Sequence, residues 1–257
     1  GEEIAAAAAE RGVYVLIEAA VGGGIPIIEP LKQSLGGNRI QRVSGIINGT
    51  TNYILSRMAD EGAAYGAVLA DAQQLGYAEA DPAADVEGGD AADKIAILSA
   101  LAYGGSVPRG AIPTEGINTL DARDVAYAAQ LGYVVKLLAF IREHPNGEVE
   151  LRVQPSFIAK SHILASVHGV FNAVAVHGDT AGESLFYGRG AGQDPTASSV
   201  VADLVEAARS LRQANGHRGF LPYREKGRIL PVAETSTAYY VRFDVTDRPG
   251  VIAEISG

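Results

Sequence analysis

Apolar positions along the chain change period repeatedly. Short β-branched runs without helical spacing alternate with stretches whose apolar residues recur every three to four positions. Residues 2–11 read as a helix closed by Gly12, and Val13-Tyr14-Val15-Leu16-Ile17 as a buried strand. That helix–turn–strand unit predicts the last element of a doubly wound domain. After a break at Gly22-Gly23-Gly24-Ile25-Pro26, the pattern predicts a helix over 28–35 and a strand over 40–47. A further helix is expected through Asp60, capped by Thr50 or Thr51. More helices are expected over 63–75, 89–103 and 121–131, with 77–88 as an acidic loop. Candidate strands follow near 133–142, 149–158, 170–177 and 184–188. A long helix then spans 196–215, opened by Pro195 and closed by Gly216. Residues 216–236 turn polar, as a linker would. Tyr239-Tyr240-Val241-Arg242-Phe243-Asp244-Val245 alternates as a strand before a turn at Asp247-Arg248-Pro249-Gly250-Val251. This irregular alternation implies an α+β domain, α/β overall, with a mixed sheet covered by helices.

Composition narrows the class. With 47% hydrophobic and 20% charged residues over 257 positions, the chain is a soluble globular protein. Its 21 basic against 30 acidic residues give a net charge of −9, the opposite of a surface that displaces counterions from nucleic acid. Nor is there a polybasic patch for an anionic membrane, an apolar run long enough to span a bilayer, or a secretion signal. The lack of cysteine excludes disulfides, thiolate metal sites and a cysteine nucleophile, and the five histidines have no metal-ligand spacing. A cytoplasmic location is expected. The chain opens on Gly1 inside a helical pattern and closes at Ile255-Ser256-Gly257 as a helix begins, so it reads as a piece of something longer.

One segment concentrates polar chemistry. From Glu79 to Lys94, six carboxylates and one lysine fall within 16 positions ahead of an apolar helix. Asp90 and Lys94 stand at i, i+4, so both project from one side of the first helical turns. A solvated acidic loop with a surface ion pair explains this spacing. So does a polar cradle in which carboxylates grip an ammonium group and Lys94 exchanges a proton with a carbonyl or alcohol oxygen. Spacing alone leaves both open.

Four motifs in order decide between them. They are Glu18-Ala-Ala-Val21-Gly-Gly23-Gly-Ile25-Pro26; Gly45-Ile-Ile-Asn48-Gly49-Thr50-Thr51-Asn52-Tyr53; Gly76-Tyr77-Ala-Glu79-Ala-Asp81-Pro82 running on to Asp85, Glu87, Asp90 and Lys94; and His162 to Val174 with Tyr187-Gly188-Arg-Gly190-Ala191-Gly192 and Pro195-Thr196-Ala197-Ser198. Together they resemble the homoserine dehydrogenases over about residues 1–235. The resemblance implies NADP- or NAD-dependent hydride transfer between L-aspartate 4-semialdehyde and L-homoserine, in threonine, methionine and isoleucine biosynthesis. It implies Lys94 as acid/base residue held by Asp90, and Glu79, Asp85, Gly49, Thr50 and Tyr77 as substrate-binding positions. Gly190 and Gly192 would approach the cofactor, and Glu18, Val21, Gly23 and Ile25 would hold a sodium ion through hard oxygens. It further implies a homodimer or higher homo-oligomer.

The resemblance also divides the chain. Residues 1–17 would be the tail of a Rossmann-like nucleotide-binding domain, 18–190 the catalytic and dimerising domain, and 191–215 a helix returning towards the first. After a linker at 216–236, residues 237–257 resemble the start of an ACT-like βαββαβ domain, where threonine would act as effector. No G-x-G-x-x-G lies between a strand and a helix, so the dinucleotide fingerprint is missing and this stretch alone is expected to be inactive. Taken literally, that absence also fits a non-catalytic oligomerisation and amino-acid-sensing module, although such a scaffold needs none of the carboxylates before Lys94.

Overall fold

The computed structural model describes residues 2–13, 15–105, 107–212, 229–246 and 248–256. In chain order the helices and strands are α1 (Glu2–Arg11), β1 (Ile40–Ile46), α2 (Gly49–Glu61), α3 (Tyr65–Gln74), α4 (Ala83–Val86), α5 (Gly89–Tyr103), α6 (Ala122–Gln130), β2 (Tyr133–Glu143) and β3 (Val149–Ala159). They continue with β4 (Phe171–Gly178), β5 (Gly182–Arg189), α7 (Gln193–Arg212), β6 (Ile229–Leu230) and α8 (Val251–Ser256). Among the described residues, no helix is long and apolar enough to cross a membrane.

One sheet organises these elements, with strand order β5-β4-β1-β2-β3-β6. The first five strands pair antiparallel, and the two-residue β6 adds a parallel edge to β3, so the sheet is mixed as expected. Alternation along β2 sends Val135, Leu137, Ala139 and Ile141 into the main core, where Ile54, Leu55 and Met58 of α2 and Ile95 and Leu98 of α5 meet them. A smaller cluster of Ile46, Ile158, Leu164, Val167, Ala173 and Ala175 packs beneath the 3-10 turn Ile163–Ser166.

Helix ends are set by side chains. Asp121 opens α6 with a capping box: it accepts from Arg123 N at 2.8 Å, while Asp124 accepts from Asp121 N at 3.1 Å. Asp121→Ala is expected to cost ~1 kcal/mol of stability, read as a lower urea midpoint with an unchanged slope.

Several expectations are corrected. Val13 to Ile17 forms no strand among its described residues; Val13, Val15 and Ile17 are exposed and have no neighbouring strand to complete a ladder. The helix expected at 28–35 is present, but it widens from α into a π turn over Pro30–Ser34, closed by Leu35 N donating to Pro30 O at 2.8 Å. The cap of α2 is Asn48, not Thr50 or Thr51, because its Oδ1 accepts from Thr51 N at 2.9 Å and the helix already begins at Gly49. The loop at 77–88 contains the short α4. Residues 239–245 form no strand: Tyr240 and Arg242 turn instead onto Asp124 Oδ1 at 3.1 and 2.6 Å, and Tyr240 stacks on Phe157. Of the expected linker, 216–228 lies outside the described residues, while 229–234 holds β6 and a 3-10 turn.

Candidate active site

β1 ends at Ile46, and two residues later α2 begins, so the chain turns from sheet to helix at Ile47-Asn48. Opposite this turn lies the start of α5, entered through Gly88 in the left-handed region at φ 84°. A Cβ on Gly88 would stand 2.9 Å from Thr114 Cγ2, so glycine serves both the turn and the close approach.

The two turns face each other through polar atoms. Asn48 Nδ2 donates to Asp85 Oδ1 at 2.7 Å and to Asp90 Oδ2 at 2.9 Å. Lys94 Nζ donates to the same Asp90 oxygen at 2.7 Å and to Ile47 O at 3.1 Å. One half-buried group thus joins two carboxylates, an ammonium and a strand-end carbonyl. An ammonium has three N–H donors, and the third on Lys94 has no protein acceptor among the described residues. Thr50 Oγ1 donates to Tyr77 O at 2.7 Å, and the Tyr77 ring meets Tyr53 edge-on at 4.9 Å. Gln73 Nε2 donates to Glu79 O at 3.0 Å, leaving the exposed Glu79 side chain outside this network.

A second set of residues borders Gly49. Asn172 on β4 is 1% exposed, and neither its Nδ2 nor its Oδ1 has a hydrogen-bond partner among the described residues. A Cβ on Gly49 would lie 3.6 Å from Asn172 Oδ1 and 2.8 Å from Val170 O, and one on Gly190 would overlap the Asn172 amide outright. Glycine on both sides is what lets the amide fit. Gly192, exposed at φ 119°, leads from this turn into α7.

The expected cation loop is sewn to the same turn. Gly24 N donates to Arg189 O at 3.1 Å, and Ser199 Oγ donates to Gly23 O at 2.7 Å. A Cβ on Gly23 would lie 2.5 Å from Gly190 O, and one on Gly24 would lie 2.8 Å from Pro195 Cβ. Val21 and Ile25 are buried in the main core. Glu18 is also buried; its Oε1 accepts from Ile27 N and Ile28 N at 2.7 and 2.8 Å, and its Oε2 from Glu29 N at 2.8 Å. The Glu18 amide donates to Asp203 Oδ2 at 3.0 Å, while burial pushes the Asp203 carboxyl up from its ordinary range.

A family model described as homoserine dehydrogenase matches residues 26–205. The chain belongs to that family. It is 54% identical to the homoserine dehydrogenase of Synechocystis sp. over 99% of its own length and 61% of that protein. The crystal structure of a homoserine dehydrogenase from Thiobacillus denitrificans superposes with TM-score 0.90 at 48% identity, covering 99% of this chain and 60% of that one. A hyperthermophilic archaeal homoserine dehydrogenase in complex with NADPH matches with TM-score 0.67 at 31% identity, over 80% of this chain and 59% of the other. The chain thus spans about three-fifths of the length of the curated relatives it matches.

Of the residues singled out in the sequence, the fold brings together Asp85, Asp90 and Lys94, joins Thr50 to Tyr77, and sets Gly49 near Gly190 through Asn172. Three polar residues escaped sequence reasoning. Asn48 was visible inside the Asn48-Gly49-Thr50 motif, yet its bridging role depends on a chain reversal 37 and 42 positions away. Asn172 sits inside an apolar strand run. Lys136 interrupts the apolar run of β2; it is 2% exposed, and burial pushes its ammonium down to about 8 against the opposing charge of Asp60.

Proposed function

We propose that the protein carrying this chain is a homoserine dehydrogenase that interconverts L-homoserine and L-aspartate 4-semialdehyde with NADP or NAD in the cytoplasm, with residues 18–190 as its catalytic and dimerising domain. The observation that carries this reading is the Lys94 ammonium: two N–H groups are held by Asp90 and Ile47, and the third is left for a substrate oxygen. In the reducing direction Lys94 protonates the oxygen of the aldehyde as it becomes an alkoxide, and Asp90 keeps the cation aimed. In the reverse direction neutral Lys94 takes the hydroxyl proton. Asp85, with Glu79 from the same acidic segment, grips the substrate ammonium. Gly49, Thr50 and Tyr77 line the pocket beside them.

The residues present fit a nicotinamide cofactor. The Asn172 amide, enclosed by two glycines where a Cβ would crowd it, keeps a donor and an acceptor without a partner among the described residues. Gly190 and Gly192 would border the ring, and the dinucleotide when bound supplies or takes the hydride. The loop at 18–25 likewise fits a sodium ion. Its donors are hard oxygens, the Glu18 carboxylate still has acceptor capacity beyond its three amides, and Gly23 O has a second lone pair. Glu18 with the carbonyls of Val21, Gly23 and Ile25 would hold the ion.

The test uses the intact protein that contains this chain. Adding homoserine and NADP⁺ or NAD⁺ is expected to generate reduced cofactor, followed by the absorbance of its dihydronicotinamide. Absence of both turnover and dinucleotide binding by calorimetry would favour the scaffold reading instead.

A further inference from the structure

A buried ammonium with no carboxylate in contact is expensive, because a more distant opposite charge offsets only part of its lost hydration. Lys136 is such a group. Its Nζ donates to Val167 O at 2.6 Å, to Asn52 Oδ1 at 2.9 Å and to Ser56 Oγ at 3.5 Å, all neutral acceptors. Asn52 in turn donates from Nδ2 to Val167 O at 3.2 Å and Phe171 O at 2.9 Å, while Ser56 Oγ accepts from Gly169 N at 3.2 Å. Strand β2, two successive turns of α2 and the connection 167–171 therefore meet at one nitrogen atom.

Two of the joined pieces, α2 and the 167–171 connection, end in the candidate site. α2 begins at Gly49, capped by the Asn48 that grips Asp85 and Asp90. The 167–171 connection runs directly into Asn172, whose amide lies against Gly49 and Gly190. Ordinary packing would serve to hold a helix on a sheet, and a methionine in place of Lys136 would fill similar volume without burying charge. What the ammonium adds to the direct α2 contacts of Asn52 and Ser56 is a directional tie that binds α2 and the chain before Asn172 to strand β2 at one point.

We propose that Lys136 is a positioning residue for the reaction proposed above. It fixes the spacing between the Asn48–Thr50 end of α2, on the substrate side, and the Asn172–Gly190 contact, on the cofactor side. This assignment rests on the homoserine dehydrogenase reading, and its test has one arm that does not.

In the intact protein, Lys136→Met is expected to raise the KM for homoserine roughly tenfold, since a small misplacement of binding groups is enough to do so. Its melting temperature should equal or exceed that of the parent, because the burial of an unpaired charge is removed. A lysine with a purely structural role would do the converse, lowering the melting temperature with KM unchanged. Asn52→Asp guards against a failure to fold. It gives the ammonium a carboxylate partner but removes the donor to Phe171 O, and the same rise in KM is expected. The independent arm is amide hydrogen exchange without substrate: both variants should exchange at least tenfold faster at residues 49–51 and 167–172. Unchanged exchange there, or KM within twofold of the parent in both variants, overturns the proposal. If the parent itself does not oxidise homoserine, the functional reading fails, and exchange alone decides whether Lys136 ties the two segments.

Discussion

Lys94→Ala in the intact protein is expected to lower turnover of homoserine by ~10²–10⁴-fold, the range lost when a positioned proton donor is removed. The fold should survive. The Lys94–Asp90 pair is only partly buried, with side chains 20% and 31% exposed, so its contribution to stability is small. Alanine would leave Asp90 still held by Asn48 Nδ2, which keeps the neighbouring turns in register. The expected signature is therefore a collapse of kcat with little change in melting temperature or in dinucleotide affinity. Asp90→Ala should follow the same direction, because it releases both Lys94 and one arm of Asn48. Normal turnover in Lys94→Ala would remove the lysine from the chemistry.

The second large effect concerns backbone, not charge. Gly190→Ala places a methyl group where the Asn172 amide already sits, so either the amide rotates away or the turn before α7 withdraws. Neither response is cheap. The amide also lies against Gly49, and the turn is held by Gly23 and Gly24. A displacement of about 1 Å at a reacting site can cost ~10²-fold in rate, and a loss of that order in kcat/KM is expected, carried mainly by the dinucleotide. Gly192→Ala is a useful contrast. Its added Cβ would meet only Pro195 at 3.4 Å, although φ 119° strains any side chain there. Equal kinetics for Gly190→Ala and the parent would show that the Asn172–Gly190 contact does not matter to cofactor binding.

Much of this architecture is legible in the residues themselves. The runs that became β1 to β5 carry their own signal, because β1 to β4 are each buried on at least one face and β5 alternates half-buried with exposed positions. The helices α2, α5 and α6 announce themselves through apolar spacing, and α2 and α6 carry polar caps as well. The failures share a cause. Val13 to Ile17 and Tyr239 to Val245 have strand-like residues, but a strand exists only where another supplies its ladder, and local pattern does not report a partner. Within the site, Asp90 and Lys94 were readable because four residues of helix bring them together. Asn48, Asn172 and Lys136 were not. Their roles arise from contacts made dozens of positions away, between elements whose order in the sheet no spacing rule predicts.

The glycine turn at Gly22 to Gly24 carries a last consequence. Gly23 presses on Gly190, Gly24 on Pro195, and hydrogen bonds run from Gly24 to Arg189 and from Ser199 to Gly23. With so little clearance the two turns cannot shift separately; they behave like a pair of meshed teeth. A ligand that draws one turn by a few tenths of an ångström must carry the other, and the linkage acts equally in both directions. An ion seated among the carbonyls of the first turn would thus tune how tightly the second closes on a dinucleotide, and the dinucleotide would tighten the grip on the ion by the same factor.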